Sequence, residues 1–567
     1  MRLIIHLIGG VFFNMGIYLN NTSAYSLYRE DYLLTYFVDK TDILNDLVPL
    51  LESKNKSSVA SGKTPKYICI TRPRRFGKSV MANMIAAYFG KGTDSSDVFD
   101  QLNVSKYPWY REHMNKHNVI HIVFNDVDEG ECQSYQQYMS RIKKTLLHDL
   151  KNTFPAAGIE DDDTVISALN LILEYCGEKF IFVLDEWDFI FHQNFATDAD
   201  KKAFARFLNA LLKDKAYVEM AYITGVLPIA KFSSGSELNM FFEFTMVNME
   251  QFSEYFGFTD EEVDDLYQKY SKVEKKPKIS RKDLKLWYDG YQTASGKRLY
   301  NPRSVVGALS FNQLGSYWTS SGPYDEIYYY VKNDVDNIKN DIGELMTGNP
   351  ILANVQEYAS TSMEIKTKDE IYSAMVVYGF LSYYNGYISI PNKELMDQFA
   401  NMVRQKSDFG YMYRLAVESG KMLLATKKGD TDTMTEILER AHNTESPLIR
   451  YNSEAELSKL ITFVYLQARE FYDIRLEEHA GTGCVDYIFY PFRKEDDGII
   501  IELKVDGTAD SAIRQIKDRN YALNFEGKLG QQRPCTGRIL AVGIAYDRKD
   551  PNKKHECKVE VLREKRG

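Results

Sequence analysis

Tyr67-Ile68-Cys69-Ile70-Thr71-Arg72-Pro73-Arg74-Arg75-Phe76-Gly77-Lys78-Ser79-Val80 decides the fold of the first half of the chain. Its opening apolar run, residues 67–70, predicts a buried strand, and residues 80–89 predict a helix. A loop ending in Gly-Lys-Ser between strand and helix is the context that a phosphate-binding loop requires. Backbone N–H groups of Arg74, Arg75, Phe76 and Gly77, with the helix N-terminus, make a cradle for anions. Lys78 is expected to reach phosphate oxygens, and the Ser79 hydroxyl to take a place on Mg²⁺. The usual first glycine is absent, with Arg72 in its place. The similar tripeptide Gly62-Lys63-Thr64 has no strand before it and Pro65 after it, so context separates the two.

Downstream, Phe180-Ile181-Phe182-Val183-Leu184-Asp185-Glu186 is an apolar strand ending in two carboxylates. Asp185 is expected beside Mg²⁺, and Glu186 where it can polarise an attacking water. A further strand, residues 219–224, ends in Thr224, which either senses a terminal phosphate or ties down the turn. With candidates at 67–70, 119–124 and 180–184, the pattern from about 36 to 258 alternates apolar runs with amphipathic helices. That predicts an α/β domain around a mostly parallel sheet.

At 567 residues the chain is too long for one core. A net charge of −9 gives no bulk attraction to nucleic acid, so any such contact needs a local basic surface. The six cysteines are far apart in sequence, without zinc or redox spacing, which suits a reducing compartment. Residues 1–14 have an apolar stretch broken by His6 and two glycines, too short for a span and without a cleavage motif. They read as an extension from an upstream start codon, with Met15 beginning ordinary sequence. No membrane association and a cytoplasmic location are expected. The insert 52–64 reads as a surface loop, and the basic stretch 269–285 as a solvated face rather than a nucleic-acid contact.

Tyr36-Phe37-Val38-Asp39-Lys40-Thr41, Arg72 to Ser79, Leu184 to Asp188 and Thr224-Gly225-Val226-Leu227-Pro228-Ile229-Ala230-Lys231 occur in that order. After them come Phe256-Gly257-Phe258-Thr259, Trp287-Tyr288-Asp289-Gly290-Tyr291 and Tyr300-Asn301-Pro302-Arg303-Ser304. This series resembles the AAA-ATPase-like family of bacterial proteins over about residues 15–309. The Arg-Pro-Arg-Arg-Phe-Gly-Lys-Ser loop is that family's own form. The resemblance implies ATP binding and, in many members, a nuclease-like domain further on.

Residues 370–380 predict a helix, and Asn385-Gly386 between two alternating segments predicts a tight hairpin, together a winged-helix-like or lid module. Residues 402–443 read as helical. From about 451 the order is helix, strand, strand, strand, helix, strand. Glu502 and Lys504 lie two apart in the strand Ile499-Ile500-Ile501-Glu502-Leu503-Lys504, hence on one face, and Asp486 lies on its neighbour. Two carboxylates there suit Mg²⁺, or Mn²⁺, with Lys504 placed to position or activate a water. Glu454, nearest the apolar stripe of the preceding helix, is the expected third carboxylate. Gln515, Lys517 and Tyr521 on the next helix would face the site or a substrate phosphate. The bland alternative is an edge salt bridge between Glu502 and Lys504.

This αβββαβ arrangement resembles the PD-(D/E)XK nuclease superfamily over about residues 451–545, with one departure: Cys484 stands where many relatives carry Arg. The expected organisation is an extension at 1–14, a P-loop domain at 15–258, a helical and winged-helix-like region at 259–445, and a nuclease-like domain at 446–567. Together the resemblances imply an ATPase whose nucleotide state controls a Mg²⁺-dependent nuclease-like domain acting on nucleic acid. The alternative is a switch whose second domain only binds nucleic acid or a protein partner. Homo-oligomers are compatible with either.

Overall fold

The computed structural model describes residues 16–51, 66–127, 132–229, 238–247, 249–318, 338–355, 367–405, 409, 411–442, 454–480, 483–525, 535–550 and 554–566. Residues 1–14 and the insert 52–64, with its Gly62-Lys63-Thr64, lie outside this set. The chain folds as two compact units, residues 1–327 with 352–392, and residues 328–351 with 393–567. Residues 259–445 are thus divided between both.

The first unit is built on β1 (Tyr67–Thr71), β2 (Asn118–Val123), β3 (Phe180–Asp185), β4 (Val218–Gly225) and β5 (Phe242–Phe244). They form one sheet in the order β2-β3-β4-β1-β5, with every pair parallel. β1 and β3 are buried along their whole length, as continuous apolar runs demand when helices cover both faces. On one face pack α2 (Lys78–Phe89) and α1 (Ser23–Tyr32), through Tyr28, Met81, Ile85 and Phe89 against Ile68, Ile70, Val183 and Tyr222. On the other pack α3 (Tyr135–Thr153), α4 (Val165–Cys176) and α5 (Asp198–Leu212), through Ile142, Leu146, Leu169 and Leu208. Each fully buried aliphatic or Phe side chain contributes roughly 1.5–3 kcal/mol. The short β5, Phe-Glu-Phe, was not expected: three residues carry too little periodicity to be read.

The amino-terminal end of the described chain is tied to this sheet. Leu19 bridges Ile120 of β2, and the Asp149 carboxylate accepts the N–H groups of Tyr18 (2.7 Å) and Leu19 (3.2 Å).

After the sheet come α6 (Asp260–Val273), α7 (Arg281–Tyr288) and α8 (Pro302–Phe311). The first two open with capping boxes, Thr259 with Glu262 and Ser280 with Asp283. Within the basic stretch, Arg281 pairs with Asp260 and Asp264, Lys285 pairs with Asp260, and Lys275, Lys276 and Lys278 are exposed. α9 (Lys368–Tyr378) leads into a hairpin of β6 (Ser382–Tyr384) and β7 (Tyr387–Ser389). Tyr384 pairs with Tyr387, and Asn385 and Gly386 both have positive φ, which is what a two-residue hairpin turn demands.

The second unit holds α10 (Tyr411–Lys428), α11 (Thr431–His442) and α12 (Glu454–Val464). They are followed by β8 (Tyr472–Ala480), β9 (Gly483–Pro491), β10 (Gly498–Val505), α13 (Ala509–Asp518), β11 (Ile539–Tyr546) and β12 (His555–Arg563). The sheet runs β8-β9-β10-β11-β12, with β10 and β11 parallel and the other pairs antiparallel. The parallel pair exists because α13 serves as the crossover between β10 and β11. β12 is one strand more than expected. All six cysteines are free thiols. No helix among the described residues is long and apolar enough to cross a membrane.

Candidate nucleotide and metal sites

At the carboxyl ends of the first sheet three segments converge, because β4 lies between β1 and β3 and pairs parallel with both. The loop after β1 turns through two left-handed residues, Arg75 (φ 69°) and Gly77 (φ 87°), and Lys78 and Ser79 begin α2. Glycine accepts such a φ without strain. The Lys78 ammonium is buried and donates to the carbonyls of Arg72 and Pro73, both at 2.9 Å, so it spans its own loop. Burial lowers its pKa to about 8, while Asp188, Asp185 and Glu186 pull the other way.

Arg72, at the position of the missing glycine, turns away from the loop and into the core. Its Nη1 donates to the carbonyls of Thr71 (2.8 Å) and Phe244 (2.7 Å), and its guanidinium lies 5.2 Å from the centre of the Phe256 ring. Burial lowers its pKa to about 10, still well above neutral. It therefore joins β1 to β5 rather than facing a ligand.

Asp185 ends β3 and is almost fully buried. Its Oδ1 accepts the Thr224 hydroxyl and the Glu186 N–H (3.0 Å), whereas Oδ2 has no hydrogen-bond partner among the described residues. Thr224 is thus engaged with the carboxylate, as a strand-end tie. Glu186 takes a left-handed conformation (φ 53°), uncommon for a side chain of this kind and typical of functional turns. Burial, and after it Asp185, raises its pKa above the usual carboxylate value.

A cavity of about 810 Å³ opens in front of this assembly. Arg74, Arg75, Phe76, Gly77, Lys78, Ser79 and Glu186 line it, whereas Asp185 and Thr224 do not. Two further residues of the family-resembling stretches, Asp188 and Arg303, also line it. Asp188 accepts the N–H groups of Val226 (2.9 Å) and Leu227 (2.8 Å), which fixes the chain leaving β4. Arg303, on the first turn of α8, brings a cation to the wall; burial, and after it Arg303, lowers the pKa of Arg75. Their signal lay in the stretches Leu184 to Asp188 and Tyr300 to Ser304, where a carboxylate and a guanidinium were left without a role. Tyr36, Phe37, Val38, Phe258 and Val306 supply an apolar wall.

In the second unit Glu502 sits on β10, an interior strand rather than an edge. It is nearly fully buried; Lys504 Nζ lies 3.2 Å from its Oε1, and Gln515 of α13 donates to the same oxygen. Oε2 has no hydrogen-bond partner among the described residues. Burial, and after it the neighbouring Asp486, pushes the carboxyl up to about 7. Asp486 on β9 accepts the Leu503 N–H at 2.7 Å, which locks the two strands together beside the pair.

Of the other residues expected here, Lys517 is paired with Glu560 on β12 rather than with the Asp486–Glu502 pair. The Tyr521 hydroxyl donates to the Cys484 carbonyl at 2.7 Å. The side chain of Glu454 lies outside the described residues, although its backbone opens α12. Among the described residues no group of three His, Cys, Asp or Glu is gathered to hold a metal ion. The donor chemistry nevertheless fits a hard divalent cation: two carboxylates close enough to raise one pKa, with one buried oxygen left unpaired among the described residues.

Residues 25–234 match the family model described as a predicted AAA-ATPase, and residues 453–556 match the PD-(D/E)XK nuclease superfamily. An uncharacterised protein encoded in the vnfD 5′ region of Azotobacter chroococcum mcd 1 is 23% identical over 299 residues, 52% of this chain and 51% of that protein. The chain spans about half the length of that curated relative. A solved structure of the Aeropyrum pernix ORC2 protein in its ADPNP–ADP complexes aligns at 11% identity with a TM-score of 0.31, covering 63% of this chain and 93% of that one.

Proposed function

From an AAA-ATPase-like domain and a PD-(D/E)XK nuclease-superfamily domain in one chain, we propose that the protein hydrolyses ATP and uses nucleotide state to control a metal-dependent nuclease-like site that acts on nucleic acid. The observation that carries the first half is the meeting of Lys78, Ser79, Glu186, Asp188 and Arg303 around one cavity. Lys78 would exchange its two loop carbonyls for phosphate oxygens, and the loop N–H groups would take the remaining charge. Ser79 and the unpaired Oδ2 of Asp185 suit Mg²⁺, which supplies neutralisation of phosphate charge. Glu186, with its raised pKa, is suited to polarise water. Arg75 and Arg303 would balance charge at the outer phosphates, and Phe37, Val38 and Val306 offer an apolar surface for a base.

For the second half, Glu502 and Asp486 would hold Mg²⁺ or Mn²⁺, which lowers the pKa of a bound water. Lys504 would then orient or deprotonate that water, while Gln515 fixes the Glu502 carboxylate. Control of this site by ATP belongs to the same proposal.

The test is nicking of supercoiled plasmid by the full-length protein with Mg²⁺ or Mn²⁺, with and without ATP. Metal-dependent nicking lost in Glu502→Ala and altered by Lys78→Ala supports the proposal. Binding of nucleic acid without cleavage in any metal would favour the non-cleaving switch instead.

A further inference from the structure

α13 carries a second polar residue on the face that presents Gln515 to Glu502. Residues four apart lie one above the other on a helix, so Arg519, at the C-terminal cap, lies beyond Gln515 by about one turn, roughly 6 Å along the axis. There it meets Gly483 at the start of β9, the strand that carries Asp486. A Cβ on Gly483 would lie 2.7 Å from Arg519 Cδ and 3.0 Å from the Tyr521 hydroxyl, with Nη1 closer still. The guanidinium therefore crosses the spot where a side chain would stand. Its Nη1 also reaches the Tyr521 hydroxyl at 3.5 Å, and that hydroxyl is held by the Cys484 carbonyl.

Several other cations of this unit are neutralised, although Arg514 on the same helix is exposed like Arg519. Lys517 pairs with Glu560, Lys558 with Asp510 and Glu560, Arg548 with Asp506, and Arg538 with Asp497. Arg519 is exposed and has no carboxylate within 4.0 Å among the described residues. A guanidinium held over a glycine on a carboxylate-bearing strand, without a counter-charge of its own there, has the chemistry of a phosphate ligand.

We infer that Arg519 binds the phosphodiester backbone of nucleic acid next to the Asp486–Glu502 pair, and that Gly483 is glycine so that the guanidinium can lie there. This rests on the reading of that pair as a site for nucleic acid. Gly483 is not needed for its own backbone, since its φ is not positive. Replacing it by alanine displaces the flexible Arg519 side chain and brings a Cβ to 3.0 Å from the buried Tyr521 hydroxyl, which has to give by only a few tenths of an ångström.

The experiment measures binding of labelled duplex DNA and single-stranded RNA to the full-length protein, with Ca²⁺ in place of Mg²⁺, over a series of salt concentrations. Arg519→Ala should weaken binding about tenfold, the scale of one charge-assisted hydrogen bond, and lower the salt slope by about one. Arg519→Lys should recover part of the loss and the full slope. Gly483→Ala should weaken binding in the same direction with at most a small loss of Tm, and should add nothing to the binding loss in the Arg519→Ala background. The ligand that shows these effects identifies the nucleic acid. Equal affinity of wild type and Arg519→Ala overturns this inference alone, as does an effect of Gly483→Ala that persists without Arg519. A Tm loss in Arg519→Ala with unchanged affinity assigns it to capping the helix instead. Absence of binding by the wild type overturns both this inference and the reading it rests on.

Discussion

Lys504 Nζ lies 3.2 Å from Oε1 of Glu502 on one face of β10, and Gln515 occupies the same oxygen from α13, so Oε2 is left without a hydrogen bond among the described residues. A salt bridge would leave the two residues equivalent. A metal site makes them opposites. Glu502→Gln should abolish the thermal shift that Mg²⁺ or Mn²⁺ gives the full-length protein, because it deletes an anionic ligand. Lys504→Ala should keep or enlarge that shift while losing cleavage. Differential scanning fluorimetry with and without metal reads this, and a wild-type Tm indifferent to metal rejects the site. The full chain is the right material, since Lys459 of α12 pairs with Glu344, far outside the nuclease-like stretch.

The Glu502 carboxyl also sets a pH dependence. Its folded-state pKa, about 7, lies above its ordinary value of 4.5. Between those limits the native state holds a proton that the unfolded state has released, so without metal its contribution to stability falls as pH rises from about 4.5 through 7. Denaturation midpoints across that window should fall less steeply in Glu502→Gln than in the wild type. Metal, which needs the ionised form, should stabilise more at about pH 8 than at about pH 5.5.

Lys78→Ala should remove Mg²⁺-dependent ATP binding, measured by calorimetry, because the loop loses the cation that spans it. Glu186→Gln should bind ATP and lose turnover by two or more orders of magnitude, the usual scale for a positioned general base. ATP binding unchanged in Lys78→Ala would reject the phosphate-site assignment.

Arg72→Gly restores the glycine common in other phosphate-binding loops, yet it should cost stability without improving nucleotide binding. The Nη1 bond to Phe244 that joins β1 to β5 is lost, a charged hydrogen bond of about 1.5–3 kcal/mol. A drop in Tm with ATP affinity within about twofold of wild type is the expected pair of results. A gain in affinity would show that Arg72 restrains the loop.

The sequence alone was enough to identify the strands and helices that carry the chemistry. Continuous apolar runs such as Tyr67–Thr71 and Phe180–Asp185 suit strands buried on both faces, and a Gly-Lys-Ser after the first of them marks the turn into a helix. The two-residue period likewise put Glu502 and Lys504 on one face before any fold was known. Spatial assignment was another matter. Nothing in the chain says that β4 lies between β1 and β3, which is what brings Thr224 to Asp185 across 39 positions of sequence. Asp188 and Arg303 stood in quoted motifs without a role, because a carboxylate's partners and a helix's position are tertiary facts. The same holds for Lys517, whose helical position allowed two directions until β12 supplied Glu560. Local sequence sets periodicity and turn chemistry; which side chains meet depends on strand order and helix docking, and those are fixed by the packing of the whole unit.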